Sequence, residues 1–109
     1  MAVVKITDNN FEAEVLAAQE PVVLDFWGEG CAPCMMQSPV IDALADELAG
    51  KVKFGKVNVH EEAALALKYS IMNIPTIIVM NRGVFKEKVI GLQDKTALKA
   101  LIERCSKAE

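Results

Sequence analysis

A chain of 109 residues, 52% of them hydrophobic and 25% charged, has apolar material for one core and too little length for two. It reads as a single domain over residues 1–109 that needs neither disulfide staples nor a structural metal. Its 12 basic residues are outnumbered by 15 acidic ones and the lysines are scattered, which argues against nucleic acid as a partner. No apolar run approaches the roughly 20 residues that span a bilayer, and Met1-Ala2-Val3-Val4-Lys5-Ile6 lacks a basic leader followed by a long apolar stretch. The expectation is a cytoplasmic protein with no membrane partner.

Apolar runs alternate with helical patterns along the chain, the mark of an α/β domain. Val3 to Ile6 reads as a short strand, and Thr7-Asp8-Asn9-Asn10 supplies capping residues for a helix from about Phe11 to Ala18. Val22 to Trp27 is apolar at every position except Asp25, as in a strand covered on both faces, and belongs in the middle of the sheet. Gly28-Glu29-Gly30 breaks it, and a helix from about Cys31 to Ala49 follows, with Val40, Ile41, Leu44, Ala45 and Leu48 on one face, Pro39 as a kink and Gly50 as the stop. Val52 to Val59 forms a third strand, and a helix from Glu61 to Tyr69 opens on acidic residues that suit its positive end. Thr76 to Met80 and Val84 to Ile90 flank a tight turn at Asn81-Arg82-Gly83, and a last helix runs from an Asp94 cap to Cys105.

Three cysteines are an odd number, and two lie three positions apart, which suggests redox chemistry or metal binding rather than a static framework. Cys31-Ala32-Pro33-Cys34 stands where the buried strand gives way to a helix. That spacing brings both sulfurs within disulfide range and leaves Cys31 at the helix cap, where free N–H groups and the helix dipole favour a thiolate. A thiolate is the attacking species in disulfide exchange. Cys34, one turn inside, is expected to be more covered, and Pro33 suits an early helix position. A zinc site needs four ligands, and the other candidates, His60 and Cys105, lie far away on different elements. The reading therefore calls for no metal and no cofactor. Cys105 continues the Leu98, Leu101, Ile102 stripe as a small core residue, and His60 flanks a helix in solvent.

Several stretches in order resemble the thioredoxin family across essentially the whole chain: Val23 to Trp27, Cys31 to Cys34, Ala45 to Leu48, Lys56 to Val59, Tyr69 to Ile71, Ile74-Pro75-Thr76, Gly83 and Gly91. The resemblance implies a thioredoxin fold, a central five-stranded mixed sheet flanked by four helices, with the third strand beside the second and a cis Pro75 next to the cysteines. It implies a protein-disulfide reductase activity in which Cys31 is the nucleophile and Cys34 resolves the mixed disulfide. Asp25, a lone acid in a buried strand, is either paired or raised in pKa, and in the second case can accept the Cys34 proton. Lys56 shares a face with Phe54 and is placed to tune Asp25. Ile74, Pro75 and Gly91 line a groove for a substrate strand; Trp27, Gly30, Ala32 and Pro33 complete the contact surface. Partners are substrate proteins with disulfides and a thioredoxin reductase or equivalent donor, met by a monomer.

The chain departs from the family at Gly30, where tryptophan is usual, at Ala32 for glycine, at Met35 for lysine and at His60 for an acid. Met35 and Met36 offer a soft docking surface instead. Two other readings share the sequence features: a binding module of the same fold with incidental cysteines, motivated by Gly30, and an oxidase or isomerase of an oxidising compartment.

Overall fold

Five strands form in a computed structural model, which describes residues 2–107: β1 (Val3–Lys5), β2 (Pro21–Trp27), β3 (Lys53–Asn58), β4 (Thr76–Asn81) and β5 (Val84–Ile90). They pair in the order β1-β3-β2-β4-β5. β1, β3 and β2 are parallel, whereas β4 and β5 are each antiparallel to their neighbours, so the sheet is mixed and β2 is its middle strand, as its near-continuous apolar run requires. Arg82 and Gly83 both have positive φ, 53° and 78°, the type I′ geometry that matches strand twist in a two-residue hairpin.

The two faces of the sheet carry separate halves of the core. Val22, Leu24 and Phe26 of β2 pack with Ile6, Phe11, Val15, Leu65 and Ile78 on one side. Val23 packs with Phe54, Ile77 and Val79 on the other, against Ile41 and Leu44 of α1 (Ala32–Glu47) and Leu98, Leu101, Ile102 and the buried Cys105 of α3 (Lys95–Cys105). Strand alternation therefore sends Asp25 and Lys56, which are in register, toward α1, the helix that bears the cysteines.

Helix limits differ from the sequence expectation where backbone amides find nearer partners. The first helix is a short π-helical segment, Glu12–Leu16, in which the Ala17 N–H reaches the Glu12 carbonyl; Thr7 and Asn10 close the preceding turn through reciprocal side-chain bonds. α1 runs unbroken through Pro39 and ends at Glu47 rather than Ala49, because Lys51 and Val52 turn back to donate to the Leu48 carbonyl, with Gly50 at φ 85°. α2 is Ala63–Lys68, shorter than expected, because Glu61 and Glu62 donate to the Asn58 carbonyl in a turn off the strand end. The Asp94 cap forms as expected, its carboxylate accepting from the Ala97 N–H at 2.8 Å. Among the described residues no helix is long and apolar enough to cross a membrane.

Candidate redox site at the mouth of the first long helix

Cys31 is the cap residue of α1, with extended backbone, and its Sγ accepts the Cys34 N–H at 3.2 Å. Pro33 falls within the first turn, where its missing N–H has no intrahelical partner to lose. The two cysteines form a disulfide with Cα atoms 5.2 Å apart. Their exposure differs as expected: Cys31 is half-buried, whereas Cys34 is only 2% exposed. An incoming sulfur thus meets Cys31 and not Cys34. The N–H that points at Sγ of Cys31, together with the positive helix end, stabilises negative charge there once the bond is reduced.

Two other loops reach the same point. The Ile74–Pro75 peptide is cis, and the Ile74 carbonyl oxygen lies 3.8 Å from Sγ of Cys31. The Pro75 carbonyl accepts the Gly91 N–H at 2.8 Å. Gly91 has φ 96°, a backbone that disfavours side chains, and no atom lies within 4 Å of where its Cβ would stand. Glycine therefore serves an open backbone surface here, not tight packing. Gly30 and Ala32, the chain neighbours of Cys31, are exposed, as are Met35 and Met36 in the first turn of α1, so the polypeptide around Cys31 presents small and soft apolar groups.

Behind the disulfide lies a cavity of about 210 Å³ lined by Asp25, Trp27, Cys34, Met35, Ser38 and Lys56. Asp25 is 1% exposed and its Oδ1 has no hydrogen-bond partner. Burial raises its pKa from 3.8 to about 7; the nearby Lys56 opposes the rise and Asp42 adds to it. Of the two possibilities open to a lone acid in a buried strand, the structure selects the raised pKa. The Lys56 ammonium bonds the Ser38 hydroxyl and lies 3.6 Å from the Asp42 carboxylate, so it acts on Asp25 through space. Trp27, half-buried, forms a wall of this cavity.

Away from the cavity, His60 is exposed in the turn before α2, and its ring packs over Gly28, with Nε2 only 2.6 Å from where a Cβ would stand. Cys105 is buried and free, its thiol pushed up in pKa by burial and by the Glu87 carboxylate 3.8 Å away. Among the described residues there is no group of three or more His, Cys, Asp or Glu that could hold a metal ion.

Sequence reasoning missed three residues of this region: Ser38, Asp42 and Gln37. The first two are unremarkable helix residues until register places Lys56 opposite them. Gln37 carried a signal, since it continues the stripe through Ile41, Leu44 and Ala45 at helical spacing, and a polar residue there must be hydrogen-bonded.

A family model described as Thioredoxin matches residues 2–104. The chain is 45% identical to a thioredoxin of Rickettsia felis over 85% of its length and 89% of that protein. It is 39% identical to thioredoxin 1 of a Nostoc species over 94% and 96% of the two chains. An M-type chloroplastic thioredoxin of Brassica napus is 40% identical over 91% of this chain and 56% of its own.

Proposed function

The chain belongs to the thioredoxin family and is a dithiol–disulfide oxidoreductase of that type, and we propose that it works as one domain, residues 1–109, reducing disulfides of substrate proteins in the cytoplasm. The observation that carries this reading is the placement of Cys31 alone at the exposed mouth of α1, its sulfur bonded to the Cys34 N–H, with Cys34 buried behind it.

In the reduced protein the Cys31 thiolate attacks one sulfur of a substrate disulfide. That bond breaks, the second substrate sulfur leaves as a thiolate, and Cys31 is joined to the sulfur it attacked. Cys34 then gives up its proton and attacks Sγ of Cys31, releasing the remaining substrate sulfur as a thiolate and forming the Cys31–Cys34 disulfide. Two electrons have passed to the substrate. Asp25 suits the role of acceptor for the Cys34 proton, because a carboxyl titrating at about 7 exchanges a proton near neutral pH and opens on the same cavity. Lys56 tunes that carboxyl, Ile74, Pro75 and Gly91 offer backbone to a substrate strand, and Trp27, Gly30, Ala32 and Pro33 border the contact. A reductase dithiol restores the pair by the reverse exchange.

The test is turbidimetric reduction of insulin with dithiothreitol as donor. The wild-type chain accelerates it, Cys31→Ser abolishes the acceleration, and Cys34→Ser accumulates a covalent substrate adduct that reductant releases. Activity retained by Cys31→Ser refutes the mechanism, and a reduction potential near that of oxidising enzymes reassigns the chain to the oxidase class.

A further inference from the structure

Gln37 is wholly buried, 0% exposed, one helical turn beyond Cys34. Both ends of its amide are used on one residue of another loop: Nε2 donates to the Gln93 carbonyl at 2.9 Å, and Oε1 accepts the Gln93 N–H at 2.8 Å. Only one orientation of the amide satisfies both, since a flip sets donor against donor and acceptor against acceptor. The Gln93 side chain in turn donates to the Gly91 carbonyl at 3.1 Å, and the Gly91 N–H donates to the Pro75 carbonyl at 2.8 Å. Ile74 then completes the circuit, its carbonyl 3.8 Å from Sγ of Cys31. The contacts run from α1 through residues 93, 91, 75 and 74 back to the cap of α1, and Gln37 is the side chain that closes them.

We infer that Gln37 is a positioning residue for substrate recognition, holding the Gly91–Gln93 segment at a fixed height beside the disulfide so that a protein substrate finds its backbone groups in place. The inference rests on the reading above that Ile74, Pro75 and Gly91 receive a substrate strand. A leucine or methionine at position 37 fills the same core slot yet leaves residues 91–93 tied only to Pro75. Small disulfides, which need Cys31 but no strand pairing, are indifferent to that segment; protein disulfides are not.

The experiment compares Gln37→Met with the wild-type full chain on two substrates, insulin and the small aromatic disulfide 5,5′-dithiobis(2-nitrobenzoate), alongside amide hydrogen exchange at residues 91–93. The rate constant with insulin falls about fivefold, the worth of about one hydrogen bond to the substrate backbone that a displaced segment no longer makes. The small disulfide is reduced within about twofold of the wild-type rate, and exchange at Gln93 accelerates. Gln93→Ala, a change at a partly exposed side chain that leaves the core alone, removes only the bond to Gly91 and lowers the insulin rate in the same selective way by a smaller factor. An unchanged insulin rate in Gln37→Met, or rates on both substrates that fall together, overturns the inference while leaving the redox assignment intact. If insulin reduction by the wild type does not depend on Cys31, the redox reading itself fails and takes this one with it.

Discussion

Replacing Asp25 with alanine makes the folded protein more stable at alkaline pH, and the sign reverses in acid. The carboxyl titrates at 3.8 in an ordinary setting and at about 7 in the folded chain. Below about 3.8 both folded and unfolded chains hold the proton, and burial of the acid has no electrostatic cost. Between that pH and about 7 the unfolded chain has lost its proton while the folded chain keeps it, so stability declines as pH rises. Above about 7 the folded chain must bury the charge, and the full penalty applies. At about 1.4 kcal/mol per pH unit the interval amounts to roughly 4 kcal/mol. Enlarging the adjoining cavity subtracts about 1 kcal/mol, leaving a net gain of roughly 3 kcal/mol at pH 8 and a loss of about 1 kcal/mol near pH 3. Urea unfolding of the oxidised Asp25→Ala and wild-type proteins from pH 3 to 8.5 measures this, with curves that cross at about pH 4.5. A stability difference that does not vary with pH would falsify the desolvation argument, since only titration of the buried acid produces the crossing.

The same carboxyl has two neighbours of opposite sign, so Lys56→Met moves the upper limb of the wild-type stability profile to higher pH and Asp42→Asn moves it to lower pH; shifts in one direction for both contradict the through-space account. In single-turnover reduction of insulin, Asp25→Ala slows release of the mixed disulfide near neutral pH, and the defect shrinks at pH 9 as Cys34 ionises unaided; a defect constant across pH points to another step. In the reduced protein, iodoacetamide labels Cys31 before Cys34, with a midpoint below the value of about 8.5 for a free thiol, and mass spectrometry of the labelled peptides decides it. Gly55→Ala destabilises the fold by about 1–3 kcal/mol, because a Cβ there lies 2.6 Å from Cγ1 of Ile6; an unchanged urea midpoint shows that Ile6 has room to yield.

What the sequence disclosed divides along the range of the interactions involved. The central strand was legible because one run, Val22 to Trp27, records burial on both faces without reference to any partner. Cys31 at a helix mouth was legible for the same reason: strand, glycine break, cysteine and early proline all lie within a dozen positions. The face shared by Asp25 and Lys56 needed one further step, the adjacency of β2 and β3, which family resemblance provided and the register bears out. The ends of the first helix, α1 and α2 were misjudged where backbone amides chose carbonyls outside the periodic pattern, as at Asn58 and Leu48. Periodicity reports which face is buried and is silent on where the last hydrogen bond goes.

Gln37 marks the limit of pattern reading and also a way past it. A stripe of buried positions in α1 includes Cys34, Gln37, Ile41, Leu44 and Ala45, and hydrophobicity alone treats the glutamine as a gap in that stripe. A buried amide without partners costs a few kcal/mol, so a polar residue at such a position demands a donor and an acceptor from elsewhere in the chain. No sequence rule says that they come from one residue 56 positions away. Yet the demand itself is readable, because backbone groups free to satisfy it lie where strands end and loops begin. In this fold the end of β2, the start of β4 and the end of β5 lie together at the disulfide's end of the sheet, so a polar core residue one turn from Cys34 is drawn to the loops that flank the reactive sulfur.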